Sequence, residues 1–145
     1  MNPKSFLKIG GIVLVVVGIL GFFLIGPTPD ASIFGSAWYF DNGENWAHIL
    51  FGVVALVAMS ALKNEAAQKK LVMLVGILAL LVGIWGFFLG GKDAPNFLGA
   101  NLENPLDNIL HLAIGAWALM SVKGEKKMMM AGGMGGGVGG GIPSK

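Results

Sequence analysis

The chain's only two histidines, His48 and His111, stand in the same local pattern. Glu44-Asn45-Trp46-Ala47-His48-Ile49-Leu50-Phe51-Gly52 aligns with Asp107-Asn108-Ile109-Leu110-His111-Leu112-Ala113-Ile114-Gly115. On a helix, the asparagine three residues before each histidine shares its face, and the glycine four residues after it continues that face. Three chemistries suit such a pattern. The first is structural: the acid and asparagine cap a helix start, and a neutral histidine bonds a backbone carbonyl or the other copy of the pattern. The second is a cofactor site, in which His48 and His111 face each other and ligate a b-type haem while Asn45 and Asn108 orient the rings. The third is proton relay or pH sensing, for which an imidazole titrating near ~6.5 is suited. A zinc ion needs more than two ligands, so it would also have to recruit Glu44 and Asp107.

The elements that carry these residues are apolar runs. The runs are Phe6 to Ile25, Trp46 to Leu62, Leu71 to Leu89 and Ile109 to Val122. About 20 residues at 1.5 Å rise cross a hydrocarbon layer of about 30 Å, so these read as four transmembrane helices, the second and fourth short. Pro27 and Pro29 are expected to end the first, and Gly90-Gly91 with Pro95 the third. The chain is 54% hydrophobic and 12% charged, with a mean hydropathy of +0.72, too few charges to keep a soluble domain of 145 residues dispersed. It has no cysteine, so disulfides and thiolate chemistry are excluded. No arginine-rich stripe suggests nucleic acid. No GxSxG, P-loop or HExxH motif and no charged residue inside a span suggests catalysis or ion-coupled transport, so no enzyme is expected.

The spans repeat. Gly18-Ile19-Leu20-Gly21-Phe22-Phe23-Leu24 matches Gly83-Ile84-Trp85-Gly86-Phe87-Phe88-Leu89, and Gly11-Ile12 matches Gly76-Ile77. Two spans per unit give two like-oriented helical hairpins, residues 1–63 and 64–122, related by an axis along the membrane normal. A first span with an internal counterpart is also poorly explained as a cleaved signal peptide. Gly11, Gly18 and Gly21, like Gly76, Gly83 and Gly86, fall on one helix face, where small residues let backbones approach closely; Gly52 and Gly115 serve the partner helices. Residues 123–145, rich in glycine and methionine, read as a flexible cytoplasmic tail, or else as a partner-binding one.

Lysine distribution orients the bundle. The N-terminus, the Lys63–Lys70 connection and the tail hold nine lysines and two acids, whereas the other two loops hold one lysine and six acids. Basic segments stay cytoplasmic, so both termini are expected there. Trp38-Tyr39-Phe40 reads as an interfacial aromatic anchor on the outer side.

Three segments carry a family resemblance. They are Val17-Gly18-Ile19-Leu20-Gly21-Phe22, Asp41-Asn42-Gly43-Glu44-Asn45-Trp46-Ala47-His48 and Asn104-Pro105-Leu106-Asp107-Asn108-Ile109-Leu110-His111-Leu112. Over roughly residues 5 to 122 the chain resembles a bacterial and archaeal family of four-helix membrane proteins, domain of unknown function 4383. The resemblance implies an all-α bundle of four spans in a prokaryotic inner membrane and no particular activity. The functional expectation is a structural or accessory subunit, self-associating or bound to a larger membrane complex. A haem-binding electron carrier and a small-solute conduit are the alternatives.

Overall fold

The computed structural model describes residues 1–89, 97–98, 101–102 and 105–133. The protein is all-α. Helix α1 spans Pro3–Gly21, α2 Asn42–Ala61, α3 Glu65–Leu89 and α4 Leu106–Gly133. Helix α1 pairs with α2 and α3 with α4, and these two hairpins carry most of the helix packing, with α1 making the lesser contacts to α3 and α4.

Local chemistry sets the helix boundaries. Asn2 caps α1 by accepting the Ser5 amide at 2.8 Å, and Pro3 occupies the first turn, where its missing N–H costs nothing. Asp41 and Glu44 form a reciprocal capping box on α2: the Asp41 carboxylate accepts the Glu44 amide and Glu44 Oε2 accepts the Asp41 amide, both at 3.0 Å. The α2–α3 connection is three residues long in the structure, 62–64, and Asn64 Oδ1 accepts the Ala66 amide at 2.8 Å.

The first span differs from expectation. The helix stops at Gly21, well before Pro27, although the apolar run continues to Ile25. The Leu24 and Ile25 amides both return to the Leu20 carbonyl, at 2.7 and 3.1 Å, and Ile25 is buried. Gly26 then takes φ +78°, and a side chain there would run into the Ala31 backbone, so the turn admits only glycine. The prolines lie in the loop beyond, which folds back as two short 3-10 turns, Pro29–Ala31 and Gly35–Ala37, before Phe40 donates its amide to the Gly26 carbonyl at 3.1 Å. Gly90-Gly91 and Pro95 lie outside the described residues. Helix α4 continues to Gly133, through the first part of the segment expected to be a flexible tail; residues 134–145 lie outside the described residues.

Burial is inverted relative to a water-soluble bundle. Large apolar side chains point outward along every helix, with Leu50 at 60% and Phe88 at 73% exposure, while Glu44, Asn45, Gln68, Asp107, Asn108 and Ser121 are buried. An exposed apolar surface this extensive needs an apolar surround. Three helices, Pro3–Gly21, Asn42–Ala61 and Glu65–Leu89, are long and apolar enough to cross a membrane. In α4, Lys123 follows the apolar stretch 109–122, whose rise is only about 21 Å, and that shortness sets it apart. The apolar core is small and sits towards the end that carries the chain start: Phe6 and Leu7 of α1, Val72 of α3, Ala118 and Val122 of α4. There Phe6 meets Trp117 edge-on at 4.6 Å.

Candidate functional site

At the opposite end, each hairpin builds the same contact from one asparagine and a row of glycines. Asn45 and Asn108 are fully buried, at 0% exposure, and each lays its Oδ1 against a glycine of the paired helix, Gly21 and Gly86 respectively. A methyl on either glycine would overlap that oxygen. One turn along, a methyl on Gly18 would lie 2.7 Å from the Asn45 carbonyl oxygen, and one on Gly83 would lie 2.8 Å from that of Asn108. Further on, Gly11 faces Gly52 and Gly76 faces Gly115, with a methyl on Gly52 only 2.8 Å from the Gly11 carbonyl. The glycine faces are thus filled within the hairpins. The asparagine oxygens accept no N–H or O–H donor, and their close neighbours are glycine Cα–H groups, polarised donors of the weak kind that recurs between close-packed helices.

Asn45 spends its amide nitrogen on the Phe40 carbonyl at 3.0 Å. That bond ties the loop entering α2 to the helix, while the cap itself is Asp41 rather than Glu44 or Asn45. Asn45 is therefore committed to Phe40 and Gly21, and the structure gives it no bond to the His48 ring. The ring of His48 packs on Phe40 instead, with centroids 4.9 Å apart, and its buried Nδ1 lies near the Glu44 carbonyl without reaching hydrogen-bond geometry. His111 does reach the equivalent carbonyl: its Nδ1 lies 2.7 Å from the Asp107 oxygen. A carbonyl can only accept, so Nδ1 carries a proton, and in the neutral ring the lone pair is then on Nε2. Both histidines are half-buried, and His48 lies within electrostatic range of His111 and Asp107. The two motifs thus converge on one end of the bundle.

Residues outside the motif join the hairpins at this end. Trp38 Nε1 donates to Asp107 Oδ1 at 2.8 Å. The Asn101 amide donates to Asp41 Oδ2 at 2.6 Å, and Asn101 Nδ2 to the Tyr39 hydroxyl at 2.9 Å. Trp38 and Tyr39, expected as a lipid-interface anchor, are half-buried and serve as polar ties between hairpins. The spacing Asp41-x-x-Glu44 offered a legible cap signal, but no local pattern joins Trp38 to Asp107, 69 residues away. Among the described residues no group of three His, Cys, Asp or Glu could hold a metal ion.

The sequence profile of a family described as a domain of unknown function, DUF4383, matches residues 4–122. The chain belongs to the DUF4383 family. No curated protein and no solved structure matches it. The matched segment runs from the first turn of α1 to Val122 and so contains both asparagine–glycine contacts and both histidines of this DUF4383 chain.

Proposed function

We propose that this DUF4383 protein is a four-span, non-enzymatic membrane protein of a prokaryotic inner membrane, serving as a structural or accessory subunit within a homo-oligomer or a larger assembly. The observation that carries the reading is the inverted burial. The polar groups of the motif are turned inward, several of them bonded to the protein's own backbone or to the facing hairpin, while the helices turn their apolar side chains outward. Polar groups used this way act as ties between membrane helices. A protein that turns its polar groups inward and its apolar surface outward has lipid and neighbouring helices as its contacts. Because the glycine faces are filled inside each hairpin, association would use the outward aliphatic and aromatic faces instead.

The fourth span is α4. It packs against α3 as α2 packs against α1, and its asparagine and glycine contacts repeat those of α2, which favours descent of both hairpins from one duplicated unit. With basic residues at the chain start and at 63–70, the termini face the cytoplasm. The absence of native cysteine makes this directly testable. Single cysteines at Asp30 and Asn64 should differ, with an impermeant maleimide added to whole cells reacting only at position 30. Labelling at position 64 would reverse the orientation. For the subunit role, the test is extraction from native membranes in mild detergent. A co-purifying partner or a homo-oligomer is expected, and a lone monomer would overturn the role.

The paired imidazoles favour a second reading. His111 bonds the backbone through Nδ1, which in the neutral ring leaves Nε2 as the ligating nitrogen, and a bis-histidine haem with His48 is the cofactor these residues would take. A visible spectrum after expression with haem supply decides it: without a Soret band this reading ends.

A further inference from the structure

A polar cleft opens at the end of the bundle opposite the histidines. It has a free volume of about 330 Å³ and is lined by Asn2 and Lys4 at the start of α1, Met59, Ser60 and Leu62 at the end of α2, and Lys63, Glu65 and Gln68 around the start of α3. Nothing in the asparagine–histidine arrangement uses it. Gln68, buried at 5% exposure, forms its floor: its Nε2 donates to the Leu62 carbonyl at 2.6 Å and to that of Met59 at 3.3 Å, closing the open carbonyls that end α2. The wall is thus held in place by the protein's own bonds, and the volume reaches the lower range of ligand sites.

The charge and the setting identify the occupant. Two lysines enter the cleft from different elements, against one carboxylate, Glu65, so an anion is favoured. The bases of α1 and α3 border it with the positive ends of two long helices, while the carbonyl end of α2, partly closed by Gln68, brings one negative end. One wall is apolar, formed by Met59 and Leu62. A ligand with an anionic head and an apolar body would satisfy both walls. On the proposed orientation the cleft lies at the cytoplasmic leaflet, where basic pockets between helices meet anionic headgroups.

We infer that this cleft binds a phosphate-ester anion through Lys4 and Lys63, presented by the headgroup of an anionic phospholipid or supplied as free phosphate. The inference rests on the bilayer reading above, and the test separates the two. Full-length protein in a nonionic detergent is examined by native mass spectrometry with dioleoyl phosphatidylglycerol, dioleoyl phosphatidylcholine or inorganic phosphate added. Phosphatidylglycerol should be retained in preference to phosphatidylcholine. The double variant K4Q/K63Q should weaken that retention by about thirty-fold, taking about fivefold per lysine near an anionic surface. Competition by millimolar phosphate assigns the site to the free ion, and its failure assigns it to the lipid. K8Q removes an exposed charge outside the cleft and should leave retention unchanged. Equal retention of the two lipids, an unaffected K4Q/K63Q protein, or an equal loss in K8Q would each overturn the site. If the site fails while the chain still requires detergent for extraction, the bilayer reading stands. A chain released without detergent would sink that reading instead.

Discussion

Replacing Gly21 with alanine tests whether the asparagine–glycine contact organises the hairpin. The added methyl would occupy the position of Asn45 Oδ1, so either the helices separate or the amide swings away. Backbone retreat is the overpacking case, costing about 1–3 kcal/mol. Amide rotation costs the bond from Asn45 Nδ2 to the Phe40 carbonyl, about 1 kcal/mol between membrane helices, and leaves that carbonyl unsatisfied. Either route predicts a loss of about 2–3 kcal/mol for G21A. The control is G10A: a methyl there meets only Trp117 Cζ3, at 3.9 Å, an ordinary contact, and alanine is the better helix former by about 1 kcal/mol. That substitution should be neutral or mildly stabilising. The decisive measurement is a double-mutant cycle of G21A with N45A, followed by reversible unfolding in bicelles. N45A alone removes the Phe40 bond, but in the G21A background it also removes the clashing oxygen. The double variant should be more stable than the sum of the singles by about 1–2 kcal/mol. Additive losses, or a G21A protein as stable as G10A, would refute the contact as the source of the cost. G86A with N108A should behave in the same way in the second hairpin.

Three further substitutions probe the ties around this frame. W38F keeps an aromatic ring but removes the donor to buried Asp107, and should cost about 1–3 kcal/mol in bicelle unfolding. The control W46F, on a ring that is 64% exposed and meets Phe22 edge-on, should change little. D41A removes the acceptor of the Glu44 amide and of the Asn101 amide together; a loss of about 1–2 kcal/mol is expected in the same assay, and a D41N protein should recover part of it. Q68L should lower the thermal midpoint by freeing the carbonyls of Met59 and Leu62, a cost of about 1 kcal/mol, and an unchanged midpoint would remove Gln68 from the list of ties.

The parts of the architecture that depend on short-range pattern were readable from residues alone. Helical composition, the pairing of neighbouring helices across short connections and the special character of Asn45, Asn108 and their histidines follow from hydropathy, spacing and self-similarity. Boundaries were not readable, because an apolar run measures what lipid or protein will cover and not where the backbone turns. Residues 22–25 illustrate this: they belong to the run, yet the chain leaves the helix at Gly21 so that Gly26 can make its turn and Phe40 can return to it. The ties between hairpins were equally hidden. Trp38 has the composition of a lipid-interface residue, and only the fold shows that its indole reaches Asp107. Asn101 carries no motif at all.

The distribution of these ties has a consequence for how the two hairpins are held together. Inside a hairpin, glycine rows bring backbones into contact along much of the helix length, and dispersion acts over the whole interface without help from a hydrophobic effect. Among the described residues no comparable glycine row joins the hairpins. The hairpins meet, among the described residues, at the apolar cluster of Phe6, Leu7, Val72, Ala118 and Val122 at one end, and through the bonds from Trp38 and Asn101 to Asp107, Asp41 and Tyr39 at the other. The histidines lie at the second of these, where directional bonds join the hairpins beside the buried side chains of Phe40 and Leu102. Directional bonds of about 1 kcal/mol each can be exchanged for others at little net cost, whereas glycine-lined backbone contact cannot. Each hairpin is thus held by continuous glycine-lined backbone contact, whereas beside His48 and His111 the hairpins meet through single bonds from Trp38 and Asn101.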